Sequence, residues 1–265
     1  MDTVIYDKHD KVGVITLNRP AHHNAFNLTM MNELDQIWKS IKSDSQVNAI
    51  IVTGTGSKAF CTGMDLSDLS AEEADHICRI PRDQQPIFRL TAIQQKVWKP
   101  VVTAVNGMVC GGGFHFLADS DLVVAAEHAT FFDSHVKVGL VAGLEPVGLA
   151  RRIPLESVFR LAFLGGDERM SSDEAKSCGL VGEVLDAGQL LDRAMTLAST
   201  ISRHSPAALA RTKKAIWDSL NTGLDQALTD TWESILAHNS HPDSNEGARA
   251  FAEKRKPIWH KPPEL

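Results

Sequence analysis

Two stretches of this 265-residue chain carry residue types, in an order, suited to holding a negatively charged oxygen. The first is Lys58-Ala59-Phe60-Cys61-Thr62-Gly63-Met64-Asp65-Leu66. The second is Asn106-Gly107-Met108-Val109-Cys110-Gly111-Gly112-Gly113-Phe114-His115. Three consecutive glycines between a strand-like run and a helical run let backbone approach a ligand closely. Amides at the start of a helix have no partner inside it and point outward. A well-placed amide of this kind stabilises a developing oxyanion by roughly 3–4 kcal/mol. Taken alone, the glycine run describes a tight connection or a close packing point equally well.

These loops need elements to hold them. Residues 11–17 (KVGVITL) alternate and read as a strand that Asn18-Arg19-Pro20 ends. Asn27 stands as an N-cap before a helical run in which Leu34, Ile37, Trp38 and Ile41 share one face. Residues 48–52 (NAIIV), 101–105 (VVTAV) and 121–126 (DLVVAA) read as buried strands, with helical patterns between them. That succession predicts βαβ units and an α/β fold. Ser171-Ser172-Asp173-Glu174 has the form of a capping box, and Gly179 of a helix stop. From about residue 190 the patterns are helical only: 190–201, 206–220 and 224–238. The expected division is an α/β core over 1–195 and a helical region over 196–265. Its tail, 254–265, is basic and then proline-rich, and is expected to run over the surface.

The bulk numbers narrow the class. Hydrophobic residues make up 43% of the chain, enough for one large domain or a domain with a helical appendage. A net charge of −6 argues against a nucleic-acid partner, although a local basic patch can still receive an anion. The first residues lack a basic segment followed by a long apolar run, so neither a signal peptide nor a membrane span is expected. Cys61, Cys78, Cys110 and Cys178 form no CxxC pair and read as free thiols in a reducing, cytoplasmic setting.

KAFCTGMDL and AVNGMVCGGG, taken together, resemble the two oxyanion-loop motifs of the crotonase (enoyl-CoA hydratase/isomerase) superfamily. The segments LNRPAHHNAFN, DLVVAAEHATFFD, MSSDEAKSCGLVGEVL and FAEKRKPIW also match that family in order and separation, so the resemblance covers nearly the whole chain. It implies a spiral of βαβ units with a helical C-terminal trimerisation region, assembled as a homotrimer or a dimer of trimers. It implies that the backbone N–H groups of Met64 and Gly112 form the oxyanion hole. It places His23, Asn24, Ala25, Met64, Asp65, Leu66, Ser67 and Gly112 along the substrate and coenzyme A site, with His22 beside them. Coenzyme A enters as part of the substrate, and no separate cofactor or metal is implied. The acyl pocket is expected from residues 69–89.

Hydratases resembling this chain carry two glutamates, one just after the glycine run and one 20 residues later. Here those positions are His115 and His135. Both carboxylates are replaced by imidazole, which titrates near pH 6.5 and serves as acid or base. The alternative is relaxation to a non-catalytic acyl-CoA-binding protein. An imidazole base works best with a carboxylate behind it. Glu145, 10 residues beyond His135, is the candidate, although helix starts also favour acids. The arrangement around Asp133-Ser134-His135 also resembles relatives that hydrolyse a carbon–carbon bond of β-diketones. In that reading His135 activates water, Glu145 orients His135, and His115 helps Met64 and Gly112 hold the enolate. The expected activities are therefore hydratase/isomerase-type chemistry on an acyl-CoA thioester, or retro-Claisen hydrolysis of a β-diketone or β-keto thioester. No HxH or HExxH spacing supports a metal at these histidines.

Overall fold

The computed structural model of the chain describes residues 2–68, 70, 72, 77, 79–263 and 265. Residues 69, 71, 73–76 and 78 of the expected acyl-pocket stretch, Cys78 among them, lie outside the described residues. In chain order the main elements are β1 (Val4–His9), β2 (Val12–Leu17), α1 (Leu28–Ser43), β3 (Ala49–Gly54), β4 (Ala59–Cys61), β5 (Val101–Val105), β6 (Met108–Cys110) and α2 (Phe114–Ala118). Next come β7 (Leu122–Ala126), β8 (Thr130–Phe132), α3 (Leu144–Leu149), α4 (Leu155–Phe163), β9 (Met170–Ser171), α5 (Ser172–Ser177) and β10 (Glu183–Leu185). Helices α6 (Leu190–Ser202), α7 (Pro206–Ser219), α8 (Leu224–Asn239) and α9 (Asp243–Ala252) complete the chain.

The strands form two sheets. The larger has the order β1-β2-β3-β5-β7-β10, antiparallel between β1 and β2 and parallel thereafter. Its inner strands β2, β3, β5 and β7 are apolar on both faces because both faces are covered. Val12, Val14, Ala49, Ile51, Val102, Ala104, Val124 and Ala126 point one way, onto Leu190, Ala194 and Ala198 of α6. The alternate residues Ile15, Leu17, Ile50, Val52, Val105 and Ala125 point the other way, into a core shared with Leu34, Trp38 and Ile41 of α1. That alternation is the period-two geometry of a strand. Asn27 caps α1 by accepting from the Met30 amide at 3.0 Å, as its sequence position predicts.

The smaller sheet, β4-β6-β8-β9, was not legible as strands. Its members are two or three residues long, too short for a periodic signal. It nevertheless carries the loops that matter most: β4, β6 and β8 run parallel as neighbours and end beside one another.

The helical end of the chain docks on the larger sheet through buried charge. Helix α6 runs through position 195 and packs on the sheet, so a division there would cut it in two. Lys213 of α7 is buried, 2.7 Å from Asp121 Oδ2, and donates to the Lys99 carbonyl at 2.9 Å. Asp121 also accepts from the Val101 amide and from Trp217 Nε1, at 2.7 and 2.8 Å. No helix among the described residues is long and apolar enough to cross a membrane.

Removing Lys213 leaves Asp121, itself partly exposed, without its cation. The Lys213→Met substitution should therefore lower stability by about 1.5–3 kcal/mol, read as a reduced urea midpoint.

Candidate active site

Three loops leave the C-terminal ends of adjacent parallel strands β4, β6 and β8, the edge at which open α/β sheets gather ligands. Gly63 follows β4 with φ +88° and Gly111 follows β6 with φ +49°, a left-handed backbone that favours glycine. Each of these glycines immediately precedes one of the two candidate donors. A β-carbon on Gly63 would lie 2.7 Å from the Gly112 nitrogen, so the two loops touch through bare backbone. Phe26 fixes the first loop from behind: its amide donates to the Gly63 carbonyl at 2.8 Å and its carbonyl accepts from Asp65 at 2.9 Å. Among the described residues, the Met64 and Gly112 amides donate to no other backbone group outside regular elements. The two N–H groups thus lie on neighbouring loops held in contact by bare backbone.

His135 sits directly on this backbone. A β-carbon on Gly111 would come within 3.3 Å of His135 Cε1. The ring is held by Asp133, whose Oδ1 accepts both the His135 amide at 2.8 Å and Nδ1 at 2.7 Å. The first of these bonds is an Asx turn. It could have been suspected from Asp133-Ser134-His135, and it identifies the orienting carboxylate. With Nδ1 donating to Asp133, Nε2 is the ring nitrogen left outside that bond. The Asp133 bond raises the pKa of His135. Burial opposes that rise, and the charges of Asp133 and Glu145 add to it.

The expectation that Glu145 orients His135 is corrected. Glu145 is the second residue of helix α3 and its Oε1 lies 3.3 Å from Nε2 of His115, the second residue of α2, with both side chains buried. The geometry falls short of a hydrogen bond, so the two groups face one another in close contact without one. Burial, the largest influence, pushes the Glu145 carboxyl up. His115, the Glu145 amide and the charge of His135 outweigh it and hold the group below its ordinary value. The site therefore has two imidazole–carboxylate pairs, one buried and one a quarter exposed. His115 Nε2 and Asp133 Oδ2 are buried without hydrogen-bond partners, a rare condition for polar atoms and one that suits a bound polar group.

The expected ligand-facing residues divide in two. His23, Leu66 and Ser67 are exposed, and Met64 is half-buried. Asn24 is buried, and its amide group bridges the Arg19 amide and the Thr55 and Ala59 carbonyls at 2.9–3.0 Å. Asp65 is buried between Arg19 at 2.9 Å and the Ser67 hydroxyl at 2.6 Å. Ala25 is buried with its carbonyl on Arg19. These three build the wall instead of presenting side chains. Among the described residues no group of three or more His, Cys, Asp or Glu side chains is placed to hold a metal ion.

The chain is similar to known proteins over nearly its whole length. A model of the enoyl-CoA hydratase/isomerase family matches residues 7–262. A short-chain-enoyl-CoA hydratase from Clostridium acetobutylicum is 31% identical over 257 residues, 97% of each chain. An (E)-benzylidenesuccinyl-CoA hydratase from Thauera aromatica is 31% identical over 97% of this chain and 98% of its own. The crystal structure of an enoyl-CoA hydratase/isomerase from Mycobacterium paratuberculosis superposes with a TM-score of 0.86 at 37% identity, covering 98% of each chain.

The Asp133–His135 bond is testable without a substrate. In a proton NMR titration His135 should titrate above the ordinary histidine value of about 6.5, and Asp133→Asn should bring its midpoint down. An unchanged midpoint would mean that Asp133 does not stabilise the imidazolium.

Proposed function

Because this chain belongs to the enoyl-CoA hydratase/isomerase family, we propose that it acts on an acyl-CoA thioester through an enolate. The carrying observation is the pair of free amides, Met64 and Gly112, flanked by two imidazole–carboxylate pairs. The thioester oxygen accepts from both amides and becomes more negative as the α-carbon loses its proton, or as water adds to the β-carbon of an enoyl thioester, and it returns that charge when the α-carbon is reprotonated. Interactions that strengthen with developing charge lower the barrier. Asp133-held His135 moves the proton through Nε2, and buried His115 with Glu145 faces the same centre from α2. This is hydratase/isomerase-type chemistry carried by imidazole.

A second reading is retro-Claisen hydrolysis of a β-diketone or β-keto thioester. The orphaned Asp133 Oδ2 and His115 Nε2 favour it, because the carboxylate oxygen can accept from water and the imidazole can donate to a second carbonyl. His135 would take a proton from water as its oxygen bonds to the ketone carbon. The adjacent carbon–carbon bond would break, its electron pair forming the enolate on the two amides. The proton would then return from His135 to the α-carbon.

The exposed apolar side chains Leu224, Leu228, Trp232 and Ile235 of α8 support self-association as a homotrimer or dimer of trimers. Light scattering should then give a mass of three or six chains, and a monomer would count against it.

Activity should rise with pH as His135 loses its proton, with a midpoint above the ordinary histidine value. His135→Ala should lower kcat roughly 10²–10⁴-fold while calorimetry still detects acyl-CoA binding. Assays on an enoyl-CoA and on a β-diketone separate the two readings. No acyl-CoA binding to the wild-type chain would overturn the first.

A further inference from the structure

At the opposite ends of β3 and β5 from the candidate active site lies a cavity of about 450 Å³. It is bounded by the end of α1, the segment entering β5 and the C-terminal tail. Lys42, Lys96, Lys99 and Lys261 stand around it. Among the described residues, none of these four ammonium groups has a carboxylate within ion-pair distance. Lys39, on the same wall, is paired with Asp35 at 2.6 Å, and Asp44 is taken by Lys8. A local surplus of positive charge on a chain of net charge −6 is the reverse of its average. Clefts lined by one sign of charge concentrate ions of the other.

The cations are carried on fixed backbone. Lys99 donates to the Ile41 and Asp44 carbonyls at 2.6 and 2.5 Å, both at the end of α1. Lys96 has φ +54°, a strained conformation for a non-glycine residue, enforced by the Val97 amide bonding back to the Ala92 carbonyl at 2.7 Å. Such backbone persists only where its surroundings over-determine it. The tail that brings Lys261 is strapped down at three points. Trp259 Nε1 donates to the Arg203 carbonyl at 2.7 Å, and the His260 amide to buried Asp243 at 2.9 Å. His241 Nε2 lies 3.2 Å from the Lys261 carbonyl. Val97, Trp98 and Pro262 add apolar wall between the charges.

We propose that this cavity is a second ligand site, for a small organic anion that joins an acidic head to an apolar body. Ammonium groups are point charges without the planar fork of arginine, so carboxylate and phosphate monoester heads share the required chemistry. The apolar body lies against Trp98 and Pro262. Burial, with Lys261 and Lys8 adding and Asp44 opposing, pushes the Lys99 ammonium down to about 8, a cost that a bound anion relieves.

The test is calorimetric titration of the full chain with octanoate, octyl phosphate and octanol, in the wild type and in Lys42→Glu/Lys261→Glu. Lys42→Ala/Lys261→Ala serves if the charge reversal lowers the melting temperature. At least one acid should bind at least tenfold more tightly than octanol and weaken at least tenfold on charge reversal. Its binding should also slow hydrogen exchange in residues 259–263. Octanoate alone would identify a carboxylate site, and octyl phosphate alone a phosphate site. Octanol binding as well as the acids, no acid binding, or acid binding untouched by both variants would overturn the proposal.

Discussion

Gly63 and Gly112 meet through bare backbone, with no room for a β-carbon between them, and the candidate site depends on that contact. It exists because β4 and β6 are parallel neighbours, so the loops that leave them emerge side by side. Phe26 bridges the first loop from below, and the positive φ at Gly63 and Gly111 turns the chain just before each donor. A side chain at Gly63 would force the loops apart. Preorganised amides act because they need not reorganise as charge develops, so widening this gap removes the effect even if both amides remain.

The two imidazole–carboxylate pairs are not equivalent. Asp133 and His135 are two residues apart on one loop, and their bond is short and direct. His135 keeps a quarter of its surface exposed, which leaves it reachable by water or substrate. His115 and Glu145 come from two packed helices, and both are buried. Burial removes both groups from water, so what each contributes depends on the geometry of their contact. The 3.3 Å contact without a hydrogen bond makes this pair the more adjustable of the two.

Much of the architecture was legible from the residues. The long apolar strands of the larger sheet, the Asn27 cap of α1 and the capping box at Ser171 each rest on a local signal, and each is present. The smaller sheet was not legible, because pairs and triplets such as Met170–Ser171 and Ala59–Cys61 carry no period. The oxyanion loops stood out by motif. The partner of His115 did not, because Glu145 reaches it only through the packing of α2 on α3, which no spacing encodes. Asn24 and Asp65 lay at positions expected to face a ligand, yet both are consumed by hydrogen bonds that hold the wall.

The central claim is that the Met64 and Gly112 amides jointly hold the thioester oxygen. A crystal structure with a bound acyl-CoA tests it most directly. The account predicts the thioester oxygen about 3 Å from both nitrogens, with the α-carbon facing His135. A thioester bound with its oxygen turned away from these amides, or reaching only one of them, would contradict it.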